Sequence, residues 1–202
     1  SKISENSQHH FILREYGNSN CFVDCGDSKV KGEYMNNILS EKEYQRFIID
    51  KLVSENGYIE RKNVKFDRNF AIDREMLFKF LDDTQSETMA QIRKVYKDVT
   101  EDTVVNFINT EITKAKSSLL SVLKHGVEIA GYKLDLMYTK PATTFNKDLL
   151  AKYNKNIFSV MEEVWASDTE RIDLVVFLNG FAIMSFELKC NFAGQSYQVA
   201  IL

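Results

Sequence analysis

Several residue types are scarce in this chain, and each shortage argues against a class of protein. The three cysteines are an odd number, which argues against a disulfide-stabilised scaffold. Cys21 and Cys25 lie close together, but with only three histidines and no second cysteine pair they do not indicate a zinc site. No signal peptide and no apolar run long enough to span a bilayer is visible, so we expect a cytoplasmic protein without membrane contact.

Charge and length limit the remaining possibilities. A formal net charge of −3 is not that of a general polyanion binder, so any contact with DNA must come from local basic patches. The hydrophobic content of 44% is sufficient for a packed core. The 202 residues indicate one domain, or one domain with an appendage. We expect an irregular arm or extension at 1–39 and the folded domain at 40–202.

Hydrophobic periodicity changes from helical to strand-like near Gly126. Before it, a capping-box pattern from Ser40 to Glu43 begins a helix, and apolar stripes predict helical segments at 73–82, 86–98 and 100–125. After it, the sequence predicts a hairpin within 127–138, a short helix near 146–153, and strands at 157–165, 172–178 and 182–189. The pattern indicates an α/β domain with a mixed, mainly antiparallel central sheet flanked by helices.

Residues 171–189 carry the most specific signal. Two apolar stretches are joined by Asn179-Gly180, which strongly indicates a β-hairpin, and Asp173, Glu187 and Lys189 interrupt them. Burying carboxylates in a sheet is costly unless they are paired, so these groups suggest a divalent metal beside an ammonium, as used in phosphodiester hydrolysis. Taken alone, the pattern is more simply a strand cap and a solvated edge, but its apolar surroundings indicate a central, buried hairpin.

The parity of this hairpin decides whether its acids can share a metal. A strict two-residue turn would turn Asp173 away from Glu187, because side chains alternate along each strand. A three-residue loop, or one bulge, reverses the parity, and a type I turn closed by Gly180 would do so. A shared metal therefore predicts an irregular hairpin.

Residues 171–180 (RIDLVVFLNG) followed by 186–189 (FELK) resemble the PD-(D/E)xK nuclease motif, in the form found in the amino-terminal domain of type I restriction enzyme R subunits. Ile172 stands where that family usually has proline, a departure that leaves the ligands unchanged. The other segments that resemble the family are 140–146 and 153–158, which precede its hairpin, and 40–58, its first helix. The resemblance covers about 40–202, and the order and spacing of these blocks make it specific.

The resemblance implies a restriction-endonuclease-like fold and metal-dependent hydrolysis of DNA. Mg²⁺ would be bound by Asp173, Glu187 and the backbone carbonyl of Leu188. Lys189 would orient the attacking water or stabilise the transition state. Double-stranded DNA would be cut after translocation by an ATP-driven motor that lies outside this chain, as do the carboxyl-terminal domains. Methyltransferase and specificity subunits would complete the complex.

Two helices complete the site that the resemblance implies. In the family a helical Glu packs near the metal carboxylates. Glu41 is the candidate because it follows the buried stripe of the first helix, and Glu43, which suits the capping role better, is the alternative. Gln195 lies on the family's next helix, whose Gln-x-x-x-Tyr pattern is incomplete here, so we expect a fragment of a longer polypeptide.

Two groups of basic residues are candidates for contacts to DNA phosphates: Arg61, Lys62, Lys65 and Arg68, and Lys140, Lys147, Lys152 and Lys155. Either group alone is more simply a solvated loop. The second flanks the proposed active site in sequence, so we favour it, together with Gln195. Two other functions stay open: a catalytically inactive nuclease-fold module for DNA binding or assembly, and a structural interaction domain whose charged groups pair with one another.

Overall fold

The computed structural model describes residues 40–114, 117–143 and 145–188. The expected arm at 1–39 and the expected last helix at 195–202 lie outside these residues. Within them, eight strands form a six-stranded sheet and a separate two-stranded sheet. The strands are β1 (Ile59–Arg61), β2 (Phe66–Asp67), β3 (Ile72–Asp73), β4 (Val127–Ile129), β5 (Tyr132–Leu134), β6 (Phe158–Trp165), β7 (Arg171–Leu178) and β8 (Phe181–Phe186).

The six-stranded sheet has the spatial order β1-β6-β7-β8-β3-β2. β1 runs parallel to β6, and the other neighbouring pairs are antiparallel. The predicted mixed, mainly antiparallel sheet is therefore confirmed, with β7 and β8 as its two central strands. The sequence did not predict β1, β2 or β3, because two or three residues are too few for a period to be read.

The α-helices of the described residues are α1 (Glu41–Asn56), α2 (Arg74–Tyr96), α3 (Thr100–Thr113), α4 (Leu119–His125) and α5 (Lys147–Tyr153). The ends of α1 follow the sequence signals, because Ser40 and Glu43 form the capping box and Gly57 adopts a left-handed C-cap. The helical stretch predicted at 100–125 is divided into α3 and α4. Within the described parts of the chain, no helix has the length and apolar character needed to cross a membrane.

The two helices predicted at 73–82 and 86–98 are confirmed as the two segments of α2, which a kink at Gln85 separates. Gln85 has φ −143° and ψ 39°, outside the helical region. Its side-chain NH₂ donates to the Asp135 carbonyl at 2.8 Å, and its side-chain oxygen accepts from the Asp135 N–H at 2.8 Å. At the kink, the Gln85 side chain thus makes the two backbone hydrogen bonds with Asp135 that a neighbouring strand would otherwise make just beyond β5.

β4 and β5 form the hairpin that was predicted within 127–138, with Ala130 and Gly131 at positive φ in the turn. The expectation that this hairpin joins the central sheet is wrong. Val127, Ile129 and Leu134 instead pack in one apolar cluster with residues of α2, α3 and α4. Alternation along a strand predicts a hairpin, but it does not specify which apolar surface will cover it.

The central hairpin is packed on both of its faces. On one face Leu174 of β7 and Leu188 pack with Ile49 of α1. On the other face Val175 and Phe177 belong to a second apolar cluster. Because side chains alternate along a strand, burial on both faces explains the nearly continuous apolar sequence of β7.

The turn between β7 and β8 is held by buried hydrogen bonds. Asn179 donates through Nδ2 to the Leu136 carbonyl at 2.9 Å and to Asn156 Oδ1 at 3.0 Å. Its Oδ1 accepts from the Ile157 N–H at 2.7 Å. Asn156 also bonds both backbone groups of Tyr138. Since α5 ends shortly before Asn156, this network ties α5 to one end of the central hairpin.

Candidate functional site

The β7–β8 hairpin is irregular, as a site shared by its acids requires. Its turn consists of Asn179 and Gly180, with φ of 51° and 86°, the left-handed pair of a type I′ turn. The register shifts between Val176 and Phe177, so that Ile183 is an extra residue in β8. The bulge that we expected as one alternative is present, and the three-residue type I turn closed by Gly180 is wrong.

The bulge reverses the parity of the two acids. The ladder ends with Leu174 paired to Phe186. Continuing the same register by one residue places Asp173 opposite Glu187, and directly opposed side chains share a face. Asp173 is buried, with 8% of its surface exposed, whereas Glu187 is exposed. The distance between their carboxylates stays a prediction. Lys189 and Gln195 lie outside the described residues, and so do their predicted roles.

Leu188 contacts Asp173 through its backbone amide. The Leu188 N–H donates to Asp173 Oδ2 at 2.6 Å. Such a bond offsets part of the cost of burying a carboxylate and fixes the orientation of the side chain. The residue predicted to offer its carbonyl to a metal therefore lies directly beside the buried acid, and the metal contact itself stays a prediction.

The Gln45 side chain connects α1 to the backbone of β7 at Asp173. The Gln45 side chain is 3% exposed, and its Nε2 donates to the Asp173 carbonyl at 3.0 Å and to Glu162 Oε2 at 3.3 Å. Gln45 lies one turn after Glu41 on the stripe of α1 that the sequence predicted to be buried, but sequence reasoning gave it no role. A buried amide on an otherwise apolar stripe was the available signal, because such a group needs a hydrogen-bond partner across the interface.

Glu41 lies one helical turn before Gln45, and both residues line an open cavity of about 570 Å³. Through Gln45 this cavity borders the backbone of Asp173. Glu43 is held elsewhere, because the Ser40 N–H donates to its carboxylate at 2.7 Å and this hydrogen bond lowers the pKa of Glu43. Of the two helix acids, Glu41 is therefore the one that borders the cavity, and its catalytic role stays a prediction.

A distortion of β6 that the sequence did not predict lies at the same cavity. Glu163 has φ 54°, which is uncommon for a residue with a side chain. Met161 and Val164 pack in one cluster, although strict alternation would send them to opposite faces. The strand therefore changes face at Glu163, which lines the cavity. No local signal marks this position, because residues 158–165 have the composition of an ordinary strand.

The two basic groups differ in how their charges are used. In the first group three side chains are ion-paired within the domain: Arg61 with Asp73 and Glu75, Lys65 with Glu75, and Arg68 with Asp168. The four side chains of the second group are exposed around α5: Lys140, Lys147, Lys152 and Lys155. The structure thus leaves the second group better placed to meet a polyanion.

The donor chemistry of the hairpin suits a hard cation. Carboxylate and carbonyl oxygens are the ligands that Mg²⁺ prefers, and Mg²⁺ keeps several waters where a protein offers only one or two carboxylates. Within 40–114, 117–143 and 145–188, no three His, Cys, Asp or Glu side chains come together as a metal site. The predicted metal site would combine Asp173 and Glu187 with backbone and water oxygens, and it stays a prediction.

Replacing Gln45 by Met should lower the free energy of unfolding by about 1–3 kcal/mol. Met resembles Gln in shape but has no N–H, so the Asp173 carbonyl would lose its buried hydrogen-bond donor. Gln91→Met is the matched control, since Gln91 lies on α2 and its side chain accepts only an exposed bond from Lys94 at 3.3 Å. We expect the control to change stability by less than about 0.5 kcal/mol. Urea unfolding measures both, and equal values would exclude a role for Gln45 in fastening α1.

Comparison of the chain with curated proteins gave no match, and comparison with solved structures gave none either. A family model described as the type I restriction enzyme R protein N terminus matches residues 38–201. The matched stretch includes α1, the cavity and both strands of the central hairpin. The chain therefore belongs to the family of type I restriction enzyme R protein N-terminal domains.

Proposed function

We propose that this chain is the DNA-cleaving domain of a type I restriction enzyme R subunit and that it hydrolyses phosphodiester bonds with a bound divalent metal. Support comes above all from the bulged register of the central hairpin, because continuing it past the Leu174–Phe186 pair opposes Asp173 to Glu187. Asp173 is buried, and a cation shared with a second carboxylate would stabilise its charge. A restriction-endonuclease-like fold is proposed on the same grounds, with α1 packed against the strands that carry the acids.

The residues of the hairpin would bind and orient the metal. Asp173, held by the Leu188 N–H, and Glu187 would each provide a carboxylate oxygen, and the Leu188 carbonyl would provide a third ligand. Mg²⁺ bound there would lower the pKa of a bound water and neutralise charge that develops on the phosphate. For one cation to be shared, the two carboxylates should lie about 4–6 Å apart.

Two further groups would act on the water and the phosphate. Lys189 follows Leu188 directly in sequence, and its ammonium would orient the attacking water or stabilise the phosphate in the transition state. Glu41 would act from α1, on the cavity side of Gln45, where it can hold a water or a second outer-sphere contact to the metal. Lys140, Lys147, Lys152 and Lys155 would contact phosphates further along the duplex, together with Gln195.

The proposed reaction belongs to a larger assembly. Cleavage would follow ATP-driven translocation of double-stranded DNA by a motor domain of the same R subunit, with ATP bound outside this chain. Methyltransferase and specificity subunits would bring the complex to its DNA. This chain would then supply the hydrolytic step alone.

A second candidate function is a catalytically inactive nuclease-fold module that binds DNA or takes part in assembly. The observation in its favour is that, within the described residues, no three metal-binding side chains are brought together. Such a module would keep the sheet and the exposed lysines but would not bind a divalent cation at the hairpin.

Metal binding distinguishes the two candidates. Mn²⁺ binds the same oxygen ligands as Mg²⁺ and its free concentration can be followed by electron paramagnetic resonance. We expect the chain to bind Mn²⁺ and Asp173→Asn to lose this binding, because the substitution removes a ligand charge but keeps an oxygen that can accept from the Leu188 N–H.

Asp168→Asn is the matched control for this titration. Asp168 is an exposed acid in the connection between β6 and β7, paired with Arg68 at 2.5 Å. It should leave Mn²⁺ binding unchanged, since the same charge is lost outside the hairpin. Identical titration curves for all three proteins would favour the inactive module.

A further inference from the structure

The cavity beside Asp173 has a wall that the proposed chemistry does not use. Besides Glu41 and Gln45, it is lined by Lys42, Asn63, Glu163, Trp165 and Arg171. Its volume of about 570 Å³ lies in the range of roughly 300–1,000 Å³ that is typical of sites for small ligands. The lining combines an aromatic ring, two cations and two acids, so the cavity is not simply an apolar packing defect.

Trp165 and Arg171 form a pair on this wall. They are register partners at the ends of β6 and β7, and directly opposed side chains share a face. The Arg171 guanidinium lies over the indole at 5.9 Å from the ring centroid, a cation–π distance. Trp165 nevertheless keeps 50% of its surface exposed, so one indole surface is available to a ligand.

Arg171 forms an ion pair with Glu163 at the cavity. Its Nε lies 2.7 Å from Glu163 Oε2. That oxygen is buried but has no hydrogen bond of normal geometry within the described residues, and Glu163 itself has a left-handed φ of 54°. Asn63 stabilises the left-handed backbone conformation of Glu163, because its Nδ2 donates to the Glu163 carbonyl at 3.0 Å. Strained backbone of this kind persists where the surrounding structure fixes it, and it is frequent at binding sites.

We propose that Trp165 and Arg171 bind one nucleotide of the DNA strand next to the scissile phosphate. Arg171 would bind a phosphate with its planar fork of donors, which matches a phosphate in geometry, in place of the Glu163 carboxylate. Trp165 would contact the base or sugar of that nucleotide with its exposed ring. Arg171 lies two residues before Asp173 in β7, and it lines the same cavity as Gln45, which donates to the Asp173 carbonyl. This inference rests on the proposed function and adds to it the residues that position the strand.

The only tryptophan of the chain is Trp165, so intrinsic fluorescence reports directly on this wall. A short duplex oligonucleotide, added in the presence of Ca²⁺, should change Trp165 fluorescence with the same midpoint as the fluorescence anisotropy of the labelled duplex. Arg171→Gln should weaken binding about fivefold to tenfold and reduce the slope of log affinity against log salt by about 1, because one phosphate contact is lost. Trp165→Leu should weaken anisotropy-detected binding about tenfold.

Matched controls distinguish the loss of a contact at this site from the general effect of removing a charge or an aromatic ring. Arg93→Gln removes the same charge from an exposed arginine on α2 that is paired with Asp82 at 2.7 Å. Phe47→Leu removes an aromatic ring that is also 50% exposed and also under a cation, with Lys51 at 5.7 Å. Both controls should keep the affinity and the salt slope of the unsubstituted chain.

Three results would overturn the inference. They are the absence of duplex binding by the chain, binding without a change in Trp165 fluorescence, and Arg171→Gln or Trp165→Leu variants that lose only stability to urea. If the inference fails while Asp173→Asn still abolishes Mn²⁺ binding, the proposed function stands and only the nucleotide site is wrong. If Asp173→Asn also has no effect, the proposed function fails as well.

Discussion

Asp173→Asn in the complete R subunit should reduce DNA cleavage by about 100-fold to 1,000-fold or more, because a charge that acts on the transition state is lost. Asn has the shape of Asp and can still accept a hydrogen bond from the Leu188 N–H, which Asp173 Oδ2 accepts at 2.6 Å. The fold should therefore survive. The measurement is conversion of a supercoiled plasmid to linear DNA by the R subunit with its methyltransferase and specificity subunits.

ATP hydrolysis in the same reactions is the internal control. It should be unchanged in Asp173→Asn, since the proposed motor domain would lie outside this chain, and the Asp168→Asn enzyme should cleave normally. Glu187→Gln and Lys189→Ala should behave like Asp173→Asn. Normal cleavage by the Asp173→Asn enzyme would show that the chemistry has been assigned to the wrong residues. Loss of ATP hydrolysis together with cleavage would point to misfolding instead.

Gly180→Ala should destabilise the chain by roughly 3–5 kcal/mol, the sum of left-handed strain and overpacking. Gly180 has φ +86°, and a Cβ built there would lie 2.5 Å from the Asp73 carbonyl oxygen and 2.7 Å from the Leu77 backbone nitrogen. Both obstacles are backbone atoms at the start of α2, where Asp73 is the buried N-cap. Neither can move without separating the helix from the hairpin.

Gly131→Ala is the matched control, because Gly131 occupies the same second position of the two-residue turn between β4 and β5. Its φ is +80°, but a Cβ built there has no atom within 4 Å from any described residue other than its two chain neighbours. Gly131→Ala should therefore lower the free energy of unfolding by the left-handed strain alone, about 1–2 kcal/mol. Urea unfolding at equal m-values measures both variants. Equal losses would show that the hairpin turn is not packed tightly against α2.

Local signals predicted the elements that neighbouring residues can specify alone. Ser40 and Glu43 form the capping box, Asp73 and Asn146 cap α2 and α5, and Gly126 ends α4. Each of these contacts spans only a few residues, so its chemistry is legible in the sequence. The Asn179-Gly180 turn is of the same kind, because positive φ at both positions is a property of those two residues.

The parity of the central hairpin required information from outside it. Sequence reasoning showed that Asp173 and Glu187 could share a face only through an irregularity, but left a bulge and a longer turn as alternatives. The bulge lies at Ile183, and this residue packs against two apolar clusters, one that includes α2, α3 and α4 and one that includes α1. That choice depends on helices that are distant in sequence.

By itself, the sequence determined the order of the helices and the longer strands, the central hairpin with its acids, and membership of the restriction enzyme family, because these rest on residue identity and short spacing. Tertiary structure decided the remainder. It placed the 127–138 hairpin outside the central sheet, used Gln45 to fasten α1 beside Asp173, and bent β6 at Glu163 to open the cavity. These three features depend on which apolar surfaces pack together and on which hydrogen-bond partners the buried polar groups have. Both depend on contacts between segments that are distant in sequence.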